Sequence, residues 1–198
     1  VYLIKTDSGG NIQWSQTYDG SNNEIGFSVQ QTADGGCIIA GYTASYGAGS
    51  LDVYLIKTDS YGNTKWSQTY GGSSYDFGYS VQQTSDGGDI IIGYTYSYGA
   101  GYTDVYLLKT DLAGNEIWSK TFGGSSYDDG QSVQQTTDGG YIVAGYTYSY
   151  GAGSYDIYLI KTTSDGNVQW SKTYGGSSSD VGWSVQQTTD GGYIITGY

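Results

Sequence analysis

The chain contains no histidine, arginine, proline or methionine, and a single cysteine, Cys37. Several of these gaps close off a kind of chemistry. Without His or Arg there is no plausible nucleophile–base pair and no Cys/His cluster for a metal. Carboxylate-only catalysis, as in glycosidases, needs two acids at a set separation in a cleft. The neighbours Asp128 and Asp129 are adjacent in sequence, which does not establish such a pair. The chain is therefore expected not to be an enzyme, with a carboxylate-based glycan-active enzyme the remotest alternative. One cysteine excludes an intrachain disulfide, and Cys37 reads as a tolerated thiol rather than a nucleophile.

Positive charge is scarce too. Seven lysines face nineteen acids, for a net charge of −12 over 198 residues. That balance argues against nucleic acid and against anionic membrane surfaces as partners. The acidity reads as a solubility device for a strand-rich chain. No stretch has a helical period, no apolar run is long enough to span a membrane, and no signal peptide is recognisable. A start at Val1 and the lack of Met predict a processed or excised piece of a longer chain. Few lysines beside abundant Tyr, Ser, Gly and Thr suggest an extracellular or cell-surface setting.

What is present is a repeat. VYLIKTD at Val1 returns as VYLIKTD at Val53, VYLLKTD at Val105 and IYLIKTT at Ile157, a spacing of 52 residues. Trp14, Trp66, Trp118 and Trp170 keep the same step, as does SVQQT from Ser28, Ser80, Ser132 and Ser184. The repeats are 1–52, 53–104, 105–156 and 157–198, in one domain. Four periods would need 208 residues, ten more than the chain has, and those ten correspond to the TYSYGAGSYD segment of the third copy.

Each copy reads as four short strands divided by turn signals: SVQQT, then an SDGG-type turn, an Ile-rich strand ending in GYT, a Tyr/Ser/Gly loop, VYLIKT, an Asp–Gly–Asn turn, and a strand bearing the Trp. VYLIKT is apolar on both faces and is expected to be buried between layers. Such units, repeated radially, are the blades of a β-propeller. The chain opens with the third and fourth strands of a unit and closes with the first and second. These halves are expected to meet as a composite blade that closes an all-β ring. A β-solenoid, a piece of a larger ring, and a two-chain eight-bladed ring are the alternatives.

The run from Asp138 to Thr188, DGGYIVAGYT through YDIYLIKTTSDGNVQWSKTYGG to SVQQT, resembles the SBBP-type β-propeller repeat, with its GNxYVxGYT strand pair and its WxxxxGG continuation. The resemblance covers all four copies; the family's common proline after GYT is missing. DSYGNTKWSQTYGG is also similar, more weakly, to quinoprotein-type propeller repeats. The resemblance implies a blade order from the axis outward of SVQQT, YIIAGYT, VYLIKTD and NxxWSKTY, and little about function.

Candidate binding residues come from two sources. The first is where the copies disagree. Just before SVQQT stand Phe27, Tyr79, Gln131 and Trp183, and two residues earlier Ile25, Phe77, Asp129 and Val181. Variation among copies this alike marks positions the unit's own packing does not demand. They are expected at one mouth of the central channel, as a pocket with aromatic walls and one extra carboxylate. The second source is the long loop and the loop between units, which should share a face holding Tyr46, Tyr98, Tyr150, Tyr96, Tyr148, Tyr75 and Tyr127. Tyr among Ser and Gly gives amphipathic contact area with adaptable hydrogen bonding. A non-catalytic binding or adhesion module for a glycan or protein is expected, with a purely structural spacer as the alternative. Self-association as a homo-oligomer is a further alternative.

The recurring acids Glu24, Asp76, Asp128 and Asp180 are expected to bond backbone N–H groups where the chain turns inward. Their functional alternative is a sugar hydroxyl or calcium, and calcium needs six to eight oxygens in one place. No other cofactor is expected. Lys5, Lys57, Lys109 and Lys161 are expected to pair with nearby aspartates or to extend their ammonium groups to solvent. The four Trp are expected to pack between units.

Overall fold

The computed structural model describes all 198 residues, in sixteen strands and no helix. Three complete units form four-stranded antiparallel sheets in chain order. The first comprises β3 (Glu24–Gln31), β4 (Cys37–Thr43), β5 (Asp52–Thr58) and β6 (Thr64–Tyr70). The second comprises β7 (Asp76–Gln83), β8 (Asp89–Thr95), β9 (Asp104–Thr110) and β10 (Glu116–Phe122). The third comprises β11 (Asp128–Gln135), β12 (Tyr141–Thr147), β13 (Asp156–Thr162) and β14 (Val168–Tyr174). Two-stranded sheets flank them: β1 (Tyr2–Thr6) with β2 (Ile12–Thr17), and β15 (Gly182–Gln187) with β16 (Tyr193–Gly197). The all-β class and the four-stranded repeat are as the periodicity predicts. Strands β7 and β11 begin four residues before SVQQT, at Asp76 and Asp128, so the variable positions lie within the strand.

Burial explains the strand order. β9 is buried at every residue, and β5 likewise, because these strands lie inside their sheets with neighbouring units over both faces. The apolar core falls at the junctions between units. One cluster joins Ile38, Leu55 and Val53 of the first unit to Val81, Ile91 and Leu108 of the second. The next joins Ile90, Ile92 and Leu107 to Val133, Val143 and Ile160. A unit therefore cannot bury its faces without a neighbour.

Polar side chains fix the junctions as firmly as apolar ones. The first Gln of the first three QQ pairs accepts from the next unit: Gln83 N–H donates to Gln30 Oε1, Gln135 N–H to Gln82 and Gln187 N–H to Gln134, each at 2.6 Å. The second Gln reaches back. Gln83 Oε1 accepts from Ala33 N–H at 2.8 Å, and Gln135 and Gln187 accept from Ser85 and Thr137 at 2.9 Å. On the outer strands the Trp14, Trp66 and Trp118 rings lie against Gly62, Gly114 and Gly166 of the following unit, which bears out inter-unit packing. The Tyr18 and Tyr70 hydroxyls donate to the carbonyls of Gly62 and Gly114. Phe122 occupies the same place in the third such strand and has no hydroxyl to donate.

The terminal half-sheets do not pair with one another: β16 and β1 are both sheet edges. The expected composite blade is not formed, and the arc of units is open. The inter-unit bonds each hold a unit to its immediate neighbour, and none of them joins the last half-sheet to the first. The consequence shows in side chains that lack a neighbour. Val29 is 54% exposed, against 6%, 6% and 3% for Val81, Val133 and Val185. Ile4 and Ile194 are 45% and 61% exposed, whereas their counterparts in the complete units are fully buried.

Candidate functional site

The long loop and the inter-unit loop do share a face. Tyr75 and Leu51 form an isolated parallel bridge there, as do Tyr127 and Thr103. The recurring acids build this face from beneath. Asp128 accepts from Gly124 N–H at 2.8 Å and from the Ser149 and Thr147 hydroxyls, while Asp76 makes the same contacts with Gly72, Ser97 and Thr95. Glu24 and Asp180 accept from Gly20 and Gly176. The backbone-bonding reading holds for all four. A second acid, at the head of the third strand, ties down the long loop: Asp104 accepts from Ala100 and Gly101, Asp52 from Gly49, and Asp156 from Ala152. No group of three or more His, Cys, Asp or Glu side chains is placed to hold a metal ion.

On this platform the aromatic candidates separate into two kinds. Tyr46, Tyr98 and Tyr150 donate their hydroxyls to the carbonyls of Asp19, Gly71 and Gly123, at 3.2, 2.8 and 2.7 Å. Their rings lean on Tyr54, Tyr106 and Tyr158. They are clamps on the inter-unit loop, half exposed but with the hydroxyl already committed.

Three of the variable positions, Phe27, Phe77 and Tyr79, instead belong to an aromatic array nearer the inner strands. Phe27 meets Tyr79 of the next unit edge-on at 4.9 Å. Phe77 stacks on Tyr94 at 4.7 Å and meets Tyr42 at 5.0 Å. Tyr94 continues to Tyr96, and Tyr96 to Tyr75. Phe27, Tyr75 and Tyr96 are exposed, whereas Phe77 and Tyr79 are half-buried beneath them. Gln131 interrupts the line, and Trp183 stands beyond it, exposed and touching only Tyr198 among aromatic rings. Tyr127 belongs to a separate pair, stacked on Tyr102 at 5.0 Å.

The tyrosines of the GYT motif carry no signal of their own in the sequence, yet Tyr42 and Tyr94 supply the middle of the array, while Tyr146 meets Tyr155 apart from it. The signal lies in strand pairing. Antiparallel register sets Tyr42 opposite Ile25, Tyr94 opposite Phe77, and Tyr146 opposite Asp129. Opposed residues share a sheet face, so the invariant Tyr lies beside Ile25, Phe77 and Asp129 in turn.

Asp129 does not line an open wall, as the sequence reading expected. It is buried, because Thr103 Oγ1 donates to it at 2.8 Å and the Tyr146 hydroxyl at 2.5 Å from the other side. Desolvation pushes its carboxyl upward, opposed by these two hydrogen bonds and reinforced by the Asp128 charge. Burial and the Asp129 charge in turn raise the Tyr146 phenol. Tyr155 packs edge-on against both Tyr146 and Tyr148, at 5.0 and 5.3 Å. The arrangement offers ring faces, phenol hydroxyls and carbonyls, and a buried carboxylate that orients one phenol.

No protein-family model matches the chain. It is 27% identical over 166 residues to the regulatory protein FlaEY of Caulobacter vibrioides, an alignment covering 72% of this chain and 17% of that one. The chain thus spans about a sixth of that relative. Among solved structures it superposes on a protein of unknown function from Bacteroides caccae with a TM-score of 0.56 and 11% identity, covering 98% of this chain and 64% of the other. At that identity the likeness is one of fold.

Proposed function

We propose that the chain is a non-catalytic binding module whose ligand, a glycan in the first instance and otherwise a protein, rests on the aromatic array of the loop face. The observation that carries this reading is the array itself. Phe27, Phe77, Tyr79 and Tyr94 come from two successive units and join across their junction. Three of the four, Phe27, Phe77 and Tyr79, stand where otherwise matching repeats diverge, and Tyr94 is common to the repeats. Ring faces suit the C–H faces of sugars, and the surrounding Tyr and Ser hydroxyls suit sugar hydroxyls. An extracellular or cell-surface setting fits that role and the acidic, Tyr-rich composition.

The test is glycan-array binding by the purified chain. A specific hit is expected, weakened about tenfold or more in Phe27→Ala, an exposed ring whose loss removes stacking area. Binding unchanged in that variant would move the site off the array, and a blank array would sink the glycan reading. The committed hydroxyls of Tyr46, Tyr98 and Tyr150 favour the second reading, a structural spacer, in which these rings serve only the fold.

The same proposal extends to architecture. The units are blades of a propeller whose ring closes when the β16 edge pairs with a β1 edge, as β4 pairs with β5. That pairing would cover Ile4 and Ile194. Transferring the register of Ala40 with Leu55, Ile92 with Leu107 and Ala144 with Leu159 sets Thr196 opposite Leu3. In a Cys37→Ser background, Leu3→Cys with Thr196→Cys is expected to form a disulfide on oxidation. A crosslink at single-chain mass means a four-bladed ring, and one at double mass means two chains in one ring. Failure to crosslink in either form would refute the closure.

A further inference from the structure

On the face opposite the aromatic array, two junctions between units lack a tyrosine that the other two carry, and one of these two buries a carboxylate in its place. The position that begins the second strand of each unit is Cys37, Asp89, Tyr141 and Tyr193. Where it is Tyr, its ring fills the space beside the preceding unit's Trp: Tyr141 is buried, 5.9 Å from Trp118, and Tyr193 lies 5.8 Å from Trp170. Asp89 replaces that phenol with a short carboxylate. Beside it a hollow of about 660 Å³ opens, lined by Trp66, Asp89, Lys65, Gln83 and Leu112 among others. Such a volume is in the range of small-molecule sites.

The carboxylate is left unprovided for. Asp89 is 2% exposed and its Oδ1 accepts no hydrogen bond. Buried acceptors without a donor are rare and costly. The charged groups around it are matched among themselves. Asp34 accepts from Lys57 at 2.8 Å and from Lys65 at 2.7 Å. With Asp89 ionised, the two lysines and two aspartates of the lining cancel, so nothing there selects a charged guest.

We propose that this hollow binds a neutral six-membered ring bearing a hydroxyl, which lies against Trp66 as Tyr141 lies against Trp118 and donates its O–H to Asp89 Oδ1. The ring supplies the apolar surface that the repeat provides elsewhere from its own chain. The hydroxyl supplies the donor that Asp89 lacks. Two sources present this chemistry, a phenol and a pyranose. The site is independent of the loop-face array.

Two probes separate them: p-cresol, which is the tyrosine side chain as a free molecule, and methyl glucoside. Each is titrated into the wild-type chain and into Asp89→Tyr, following thermal melting and the Trp66 indole N–H resonance. One of them is expected to bind saturably, with Kd on the order of 1 mM for so small a ligand. At about five times Kd it should raise Tm by about 2–4 °C and shift the Trp66 signal. Asp89→Tyr restores the repeat's own ring and should abolish both effects. Toluene, which is p-cresol without the hydroxyl, reads the donor's part in the wild-type chain alone, and is expected to bind at least about tenfold more weakly than p-cresol. No saturable shift with either probe, an unchanged shift in Asp89→Tyr, or, where p-cresol is the probe that binds, toluene binding as tightly would each overturn the proposal.

Discussion

Gly93→Ala is expected to cost the fold more than about 4 kcal/mol, enough to unfold much of the chain at room temperature. A Cβ at Gly93 would sit 1.7 Å from the carbonyl oxygen of Phe77 and 2.7 Å from its carbon. Both are backbone atoms, so no rotamer change relieves the contact. The approach is this close because the ladder between β7 and β8 slips at this point: Gly78 pairs with Gly93, and the register shifts before Ser80. Gly41, Gly145 and Gly197 stand in the same relation to Ile25, Asp129 and Val181. The glycine of every GYT is therefore a steric requirement of the bulge, and not a matter of backbone freedom. Urea unfolding followed by far-ultraviolet circular dichroism measures the loss. Gly176→Ala is the control, since a Cβ there meets nothing within 4 Å; it is expected to change stability by no more than about 0.5 kcal/mol. Equal effects of the two substitutions would refute the steric account.

Asp89→Asn is expected to stabilise the chain by about 2–4 kcal/mol above pH 7 and by little at pH 3 to 4. Burial pushes the Asp89 carboxyl from 3.8 up to about 7, against the lowering influence of Lys57 and Lys109. Between those two values the unfolded chain releases the proton and the folded chain retains it, so stability falls as pH rises through the window. The asparagine has no proton to release and removes that slope. Asp34 runs the other way. Hydrogen bonds from Lys57, then Lys65, hold its carboxyl well below the ordinary range. Its contribution is present above 3.8 and fades as acid protonates it. The informative quantity is the difference between variant and wild type across pH 4 to 8, in which Asp34 cancels. A flat difference would show that Asp89 is hydrated in the folded chain.

The repeat made much of the fold legible. A spacing kept by VYLIKTD, the strand Trp and SVQQT places every strand, because a unit of four strands with apolar faces has few ways to bury them. Local chemistry was equally readable. The acid of the GGSSYD loop meets backbone N–H groups as expected, and Lys57, Lys109 and Lys161 reach Asp34, Asp86 and Asp138 at 2.8, 3.1 and 2.9 Å. Lys5, in a half-sheet without inner strands, stays exposed. The variable positions were legible as candidates because four copies of one unit act as controls for one another.

What the sequence by itself determined, then, is the strand set, the turn chemistry and the positions free to vary, all set by interactions within about one repeat. Only the tertiary structure decided the rest. It showed that QQ joins one unit to the next and that Tyr42 and Tyr94 complete the aromatic array. It buried Asp129 beneath Thr103 and Tyr146, and opened a hollow where Asp89 stands in for tyrosine. The reason is the geometry between sheets: Gln30 with Gln83 and Thr103 with Asp129 meet across a junction of two units, and the angle between adjacent sheets, which no local pattern encodes, determines which side chains meet there.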